Sequence, residues 1–409
     1  MRFVFVTDEL PRPGAAGHLA MNHAIISWLL AGGHGVEVLL LSGRLRWPVQ
    51  RYGVTAVAGP SVFCWGGYLV ASVPAAVGIL ARRLTEPLPA PLYGMLRPAA
   101  MRHHGGADAV LGSMLSPERA AWCARRIGQT RPDAVLVDTM FRAGVLRAPE
   151  VAGIPGVIIA HDVFYLRHRA LSSAGYVVRP AVLTREMEAA QLNAAGAIAA
   201  IQPEEAAIIK EMCPERDVFV ASMPAVACPR PPDVARLPHR LVFVGSASLP
   251  NLDGLRWFLD AVWPHLRRWR GDVTLDIAGD CGARLARVPE GVNRRGRLKT
   301  LAPVLHRASL AIAPLRVGSG LKIKILDYAR HGLVTVGTPA SLAGFAADPA
   351  APFVAASGDL GFAAAIIRQL GAPADDERAL SYVSRHYGVA ASFAGLGAAL
   401  GLPQPVLAA

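Results

Sequence analysis

Short apolar runs alternate with amphipathic stretches along most of the chain, and turn residues punctuate each change of rhythm. The first run, Arg2–Thr7 (RFVFVT), is apolar on both faces and ends in turn residues, as a buried parallel strand should. PRPGAAGH follows as a loop, and LAMNHAIISWLLAGG carries helical periodicity closed by Gly32 and Gly33. VEVLLLSG is the next buried strand, so the opening is a βαβ unit and predicts a parallel sheet. Further strands are expected at Gly53–Ala58, Ala134–Val137, Gly156–Ala160 and Ala195–Ile201.

The rhythm breaks at Pro224–His239 (PAVACPRPPDVARLPH), which has no periodicity and reads as a semi-rigid linker. It then restarts: RLVFVGS, the amphipathic helix NLDGLRWFLDAVWPHLRRW, VTLDIAG, ASLAIAPL, the helix LKIKILDYARHG, and LVTVGTP. The expectation is an α/β protein with two doubly wound domains, residues 1–228 and 239–384. A terminal helix near 385–405 is expected to pack back on the first domain. Ligands of such sheets sit at the carboxyl ends of the strands.

Composition narrows the classes. The 409 residues are 53% hydrophobic and 18% charged, which excludes a disordered chain. Five dispersed cysteines form no CxxC pair and read as reduced thiols. The formal net charge of +12 calls for an anionic partner, while no nucleic-acid signature accompanies it. The apolar run of MRFVFVTDEL is too short for a signal peptide, so a cytoplasmic location is expected. From Tyr52 to Ala81 no side chain is charged. Gly66, Gly67, Pro74 and Gly78 make that stretch a poor spanning helix, so it is read as a surface helix resting on the inner membrane face or receiving a greasy acceptor. An ordinary buried helix is the other reading.

The chemistry concentrates in PLRVGSGLKIKILDYARHGLVTVGTP, Pro314 to Pro339. A buried strand ends there, Gly318, Ser319 and Gly320 turn the chain, and a helix opens near Leu321. Glycines let amides approach an anion, and the helix start adds partial positive charge. Arg316, Lys322 and Lys324 surround the turn, and Asp327 sits two helical turns on, where a carboxylate can accept from vicinal hydroxyls. The same text also fits a tight turn with an i,i+3 Lys324–Asp327 pair.

This segment resembles the donor-binding signature of retaining GT-B glycosyltransferases, in particular glycosyltransferase family four, in the GxGxKxKxxE variant. The resemblance extends to LVFVGSASLPNLDGLRWFLDAVWPHL, to NRRGRLKTLAPVLHRASLAIAPL and to the opening RFVFVTDELPRPGAAGHLAMNHAIISWLLAGGHGVEVLLL with IPGVIIAHDVF. It implies a GT-B fold, two Rossmann-like domains facing a central cleft, and transfer of a sugar from a nucleotide-diphosphate donor with retention. Asp327 matches the ribose-binding carboxylate, one methylene shorter than the family's glutamate. Ser319 stands where the first glutamate of the family's pair would contact the donor sugar, and Asp327 takes the place of the second. Gly318, Gly320, Leu321, Lys322 and Ile323 complete the implied donor turn. Gly245 and Ser246 match a phosphate-facing loop, here ASLPNLDG without its usual arginine and lysine, so Arg316 and Lys322 must compensate. Gly296 and Arg297 match a base-contacting turn, and Gly14 to His18, with Gly17, a loop beneath the phosphates. His161 matches a histidine near the transferred sugar; Asp162 beside it shares the catalytic expectation, and Asp138 at another strand end is a further candidate. His103 and His104 read as a surface loop. There is no DxD, so no metal or other cofactor is expected. The acceptor is expected to be lipid-linked or membrane-proximal. A sugar-nucleotide epimerase of the same fold and a non-catalytic nucleotide-sugar-binding subunit are the alternatives.

Overall fold

The computed structural model describes residues 1–13, 17–42, 45–85, 108–173, 175–317 and 320–403. The chain forms two compact units. One is Met1–Ala221 joined by the return of the chain from Phe393; the other runs from Ser222 to Ser392.

The first unit is built on a seven-stranded sheet in the order Asp217–Val220, Ala197–Ala200, Gly156–Ala160, Ala134–Asp138, Arg2–Thr7, Gly35–Leu40, Ala56–Ala58. Every pairing is parallel. The inner strands are apolar on both faces because helices cover both. Phe5, Val6, Val135, Val137 and Ile158 are fully buried. In the same unit the Phe393 ring meets Trp28 at 5.1 Å.

The second unit carries a six-stranded, all-parallel sheet in the order Val292–Gly296, Thr274–Ala278, Arg240–Val244, Leu310–Ala313, Thr335–Gly337, Phe353–Ala355. Counted within the unit this is 3-2-1-4-5-6, the order of a Rossmann sheet. Its core is dense: Phe243, Phe258, Trp263, Tyr328 and Phe362 are all buried. Burying each such side chain contributes on the order of 1.5–3 kcal/mol.

Local details depart from the sequence pattern for identifiable reasons. The helix expected over NLDGLRWFLDAVWPHLRRW is α-helical at Leu249–Trp257 and Trp263–Trp269, with a π-turn at Phe258–Val262 between them. Pro264 has no N–H to donate back to Asp260, and the wider turn absorbs the missing bond. The segment Ser222–His239 contains neither helix nor strand. It is nonetheless pinned to the second unit, since the N–H groups of Ala225, Cys228 and Leu237 donate to the carbonyls of Tyr387, Arg330 and Arg307 at 2.7, 2.7 and 2.8 Å.

The uncharged Tyr52–Ala81 stretch is mostly not helical. Val62–Trp65 and Tyr68–Ala71 form an antiparallel hairpin, joined on its other edge by Val49–Arg51, and a helix occupies only Val73–Thr85. Gly66 and Gly67, at φ 54° and 79°, make the two-residue turn whose twist suits a hairpin. Among the described residues no helix is long and apolar enough to cross a membrane.

One buried bond ties the second sheet to its key helix. The Val244 N–H, at the end of the first strand, donates to the Tyr328 hydroxyl at 2.7 Å. Tyr328→Phe leaves that amide unpaired in the core, and a loss of about 1–3 kcal/mol is expected. Urea unfolding followed by a probe in this unit measures it; unchanged stability contradicts the assignment.

Candidate functional site

In the second unit the strand order reverses between Arg240–Val244 and Leu310–Ala313, which pair directly. The connections leaving their carboxyl ends run in opposite directions, and the crevice between them is where such sheets take ligands. Gly245–Ser246 forms one wall, and Pro314–Val317 with Gly320–Lys322 the other. The two walls approach closely: a Cβ at Gly254, on the helix after the first strand, would stand 2.4 Å from the Pro314 carbonyl oxygen. Only glycine fits there. Gly296 joins from the neighbouring strand end, its carbonyl accepting from the Gly279 N–H at 2.7 Å.

Gly318 and Ser319 lie outside the described residues. Gly320 follows with φ 72°, a left-handed conformation that glycine adopts without steric cost. Leu321 is buried, and the helix begins at Ile323 rather than at Leu321. The reason is local, since Lys322 has φ −86° and ψ 84° and acts as the N-cap. The first amides of the helix are therefore presented beside the turn, with the helix dipole behind them.

The cations are placed around this point, but each is held by a partner. Arg316 forms a two-pronged ion pair with Asp253, at 2.5 and 3.0 Å. Arg297 does the same with Asp280, at 2.6 and 3.3 Å. Lys322 Nζ donates to the Gly320 carbonyl at 2.7 Å. Lys324 donates to Asn251 Oδ1 and lies 4.5 Å over the Phe243 ring. Desolvation holds its ammonium well below the usual lysine range, at about 7. Asn251 completes the bridge by donating to the Ser246 carbonyl at 3.0 Å. A chain Lys324–Asn251–Ser246 thus ties the helix to the opposite wall. Asp327 is half-buried and accepts from Arg330 Nε at 2.9 Å. Burial raises its carboxyl above the ordinary value, against the pull of Arg330.

The first unit carries a separate polar cluster at its own order reversal, between Arg2–Thr7 and Ala134–Asp138. His161 Nε2 lies 3.1 Å from Asp138 Oδ1 and 3.0 Å from Asn22 Oδ1, and the Thr7 hydroxyl donates to Asp138 Oδ2 at 2.7 Å. The His18 ring stands 6.0 Å from His161. Burial alone would raise the Asp138 carboxyl. The hydrogen bond and charge of His161, the charge of His18 and the Thr7 hydroxyl outweigh it and hold the group at about 2. Among the described residues, His161 Nδ1 and Asn22 Nδ2 are buried without a hydrogen-bond partner. Asp162, itself buried, pairs with the half-exposed Arg167 at 2.8 Å. Gly17 is the first residue of the helix Gly17–Ala31, and Gly14–Ala16 lie outside the described residues, as do His103 and His104.

Two polar residues central to these clusters escaped the sequence reading. Asn22 shares the buried face of its helix with Ile25, Ile26 and Leu29, so an amide on an apolar stripe was the available signal. Asn251 had no such marker, being one polar residue in the first turn of a helix.

This geometry coincides with the comparisons. Residues 238–371 match the family model of glycosyl transferases group 1. The match covers about a third of the chain and contains both walls of the crevice. No curated protein matches in a direct sequence comparison. Among solved structures, the chain is similar to the lipopolysaccharide outer-core galactosyltransferase WaaB in its apo form, with TM-score 0.61 and 13% identity over 98% of this chain and 99% of that one. It is also similar to sucrose-phosphate synthase from Thermosynechococcus elongatus, with TM-score 0.62 and 12% identity over 97% of each chain. Anabaena HepE in complex with UDP and glucose gives TM-score 0.60 and 12% identity over 98% of this chain and 99% of that one. The fold is GT-B, with two Rossmann-like units.

The Asp138 cluster yields a pH test. A carboxyl held below its ordinary value near 3.8 contributes stability that is complete above that pH and lost as pH falls through about 2. Asp138→Asn is expected to cost about 2 kcal/mol at neutral pH. That gap should close as pH falls from about 4 towards 2 in thermal unfolding. A gap independent of pH contradicts the pairing.

Proposed function

We propose that the protein is a glycosyltransferase that takes a sugar from a nucleotide-diphosphate donor bound at the order reversal of its second unit. One coincidence carries the reading: the segment matching glycosyl transferases group 1 is the segment that supplies both walls of the crevice and the helix start. A similar fold, that of HepE, holds UDP and glucose in its own structure.

In this reading the amides at Leu321–Ile323, with Gly318, Ser319 and Gly320, face the diphosphate, and Lys322 and Arg316 add charge. Gly245 and Ser246 face it from the other wall, and Gly17 is a further donor-binding candidate. Asp327 accepts from the ribose hydroxyls, and Gly296 with Arg297 meets the base. His161, held by Asp138, is the catalytic candidate, together with Asp162, its neighbour in sequence. The bond from the anomeric carbon to the diphosphate oxygen breaks, the acceptor hydroxyl bonds to that carbon and releases its proton, and the nucleoside diphosphate leaves as an anion. Preorganised amides and cations stabilise the charge that develops on the leaving group. Retention of configuration and independence from metal are part of the proposal, the second supported by the absence of a DxD sequence.

The acceptor is lipid-linked or membrane-proximal, and the enzyme rests on the cytoplasmic membrane face. The support is an exposed apolar stripe, Val73, Val77, Leu80 and Leu84, on one face of a helix, next to the exposed rings of Phe63, Trp65 and Tyr68. Residues of this kind bind membrane interfaces.

A thermal-shift screen of nucleoside diphosphates and their sugars tests the donor. One base class is expected to raise the midpoint by several degrees at saturation. Asp327→Ala is expected to weaken that ligand about 10- to 100-fold. Indifference to every nucleotide, or unchanged binding by the variant, contradicts the proposal; conversion of the donor to an epimer without acceptor would identify the epimerase instead.

A further inference from the structure

Three donor atoms of the second unit converge away from the crevice. The Cys228 thiol and one ring nitrogen each of His306 and His331 lie within 4.8 Å of one another. They come from three separate segments: the proline-rich Ser222–His239, the C-cap of the helix Ala302–Leu305, and the C-cap of the helix Ile323–Arg330. Both imidazoles are buried, with ring centroids 5.1 Å apart, and Cys228 is half-buried.

Their hydrogen bonds place them as ligands are placed. His331 Nδ1 donates to the Asp327 carbonyl at 2.6 Å, which leaves Nε2 as that ring's lone-pair nitrogen. His306 Nε2 donates to the carbonyl of Cys228 itself at 3.0 Å, and the Cys228 N–H donates to the Arg330 carbonyl at 2.7 Å. The three groups are thus locked to one another through the backbone before any ion arrives. The nearby guanidiniums are already paired, Arg230 and Arg236 with Asp376 and Arg330 with Asp327. A set of one thiolate and two imidazoles suits a borderline-soft ion and offers nothing to magnesium or calcium.

We propose that Cys228, His306 and His331 form a zinc site that fastens the proline-rich segment to the C-terminal end of the helix carrying Asp327. Three protein ligands leave a fourth tetrahedral position for water. Binding releases the Cys228 proton to solvent. The site lies at the opposite end of an eight-residue helix from Lys322, roughly 12 Å away, so its role is to hold the helix in place rather than to touch the reacting groups. The inference stands whether or not the donor assignment does.

The experiment uses the full chain, stripped of metal by a chelator and titrated with Co²⁺ as an optical probe, then with Zn²⁺. One Co²⁺ per chain is expected, with intense tetrahedral d–d bands and a thiolate-to-cobalt charge-transfer band, both erased by Zn²⁺. Cys228→Ser should remove the charge-transfer band and weaken Zn²⁺ about 100-fold or more, with circular dichroism unchanged. His306→Gln should weaken Zn²⁺ similarly, and Cys64→Ser, at an exposed cysteine, should change nothing. Only weak octahedral bands, or a charge-transfer band that survives in Cys228→Ser, overturns the proposal.

Discussion

Parallel strands must be joined by crossovers, and crossovers of one hand lay successive helices on one face until the chain returns to the first strand and builds outward the other way. In the second unit that return falls between Arg240–Val244 and Leu310–Ala313. The loops on either side of the pair diverge, so backbone amides at the strand ends are left facing a gap instead of each other. The placement of Gly245, Gly320 and Lys322, and the need for glycine at position 254, follow from this one constraint.

Side chains join the walls of that gap. Here the bracing is polar and runs beneath the surface. Tyr328 takes the amide at the end of the first strand, while Lys324 reaches Asn251, and Asn251 reaches Ser246. Half-burying a lysine is costly, and its depressed pKa is the sign of that cost. The first unit has its own cluster in Thr7, Asp138, His161 and Asn22. Two sheets of the same strand logic thus carry hydrogen-bonded side chains at their order reversals, one cluster cationic and one built on a carboxylate.

Much of this was legible in the chain. The inner strands announced themselves because burial on both faces demands an unbroken apolar run, and all the central strands were found this way. Asp217–Val220, Val292–Gly296 and Phe353–Ala355 were not, and each lies at the edge of its sheet. An edge strand is solvated on one side, so VNRRG carries no apolar signal. The hairpin at residues 62–71 was missed although Gly66-Gly67 marks its turn, because those glycines were read as flaws in one uncharged helix rather than as a turn between strands. At the site, the glycines and Asp327 were visible as a pattern. The commitment of Arg316 to Asp253 and of Arg297 to Asp280 was not, since those pairs join residues 63 and 17 positions apart.

The central claim is that an anionic diphosphate seats on the amides between the two walls of the second unit. Hydrogen exchange, compared with and without the nucleoside diphosphate that stabilises the protein, addresses it peptide by peptide. The account predicts slowed exchange chiefly in peptides covering residues 314–330 and 244–254, with the base-contacting turn at 296–297 slowed beside them. Slowed exchange elsewhere with those two segments unchanged would contradict it.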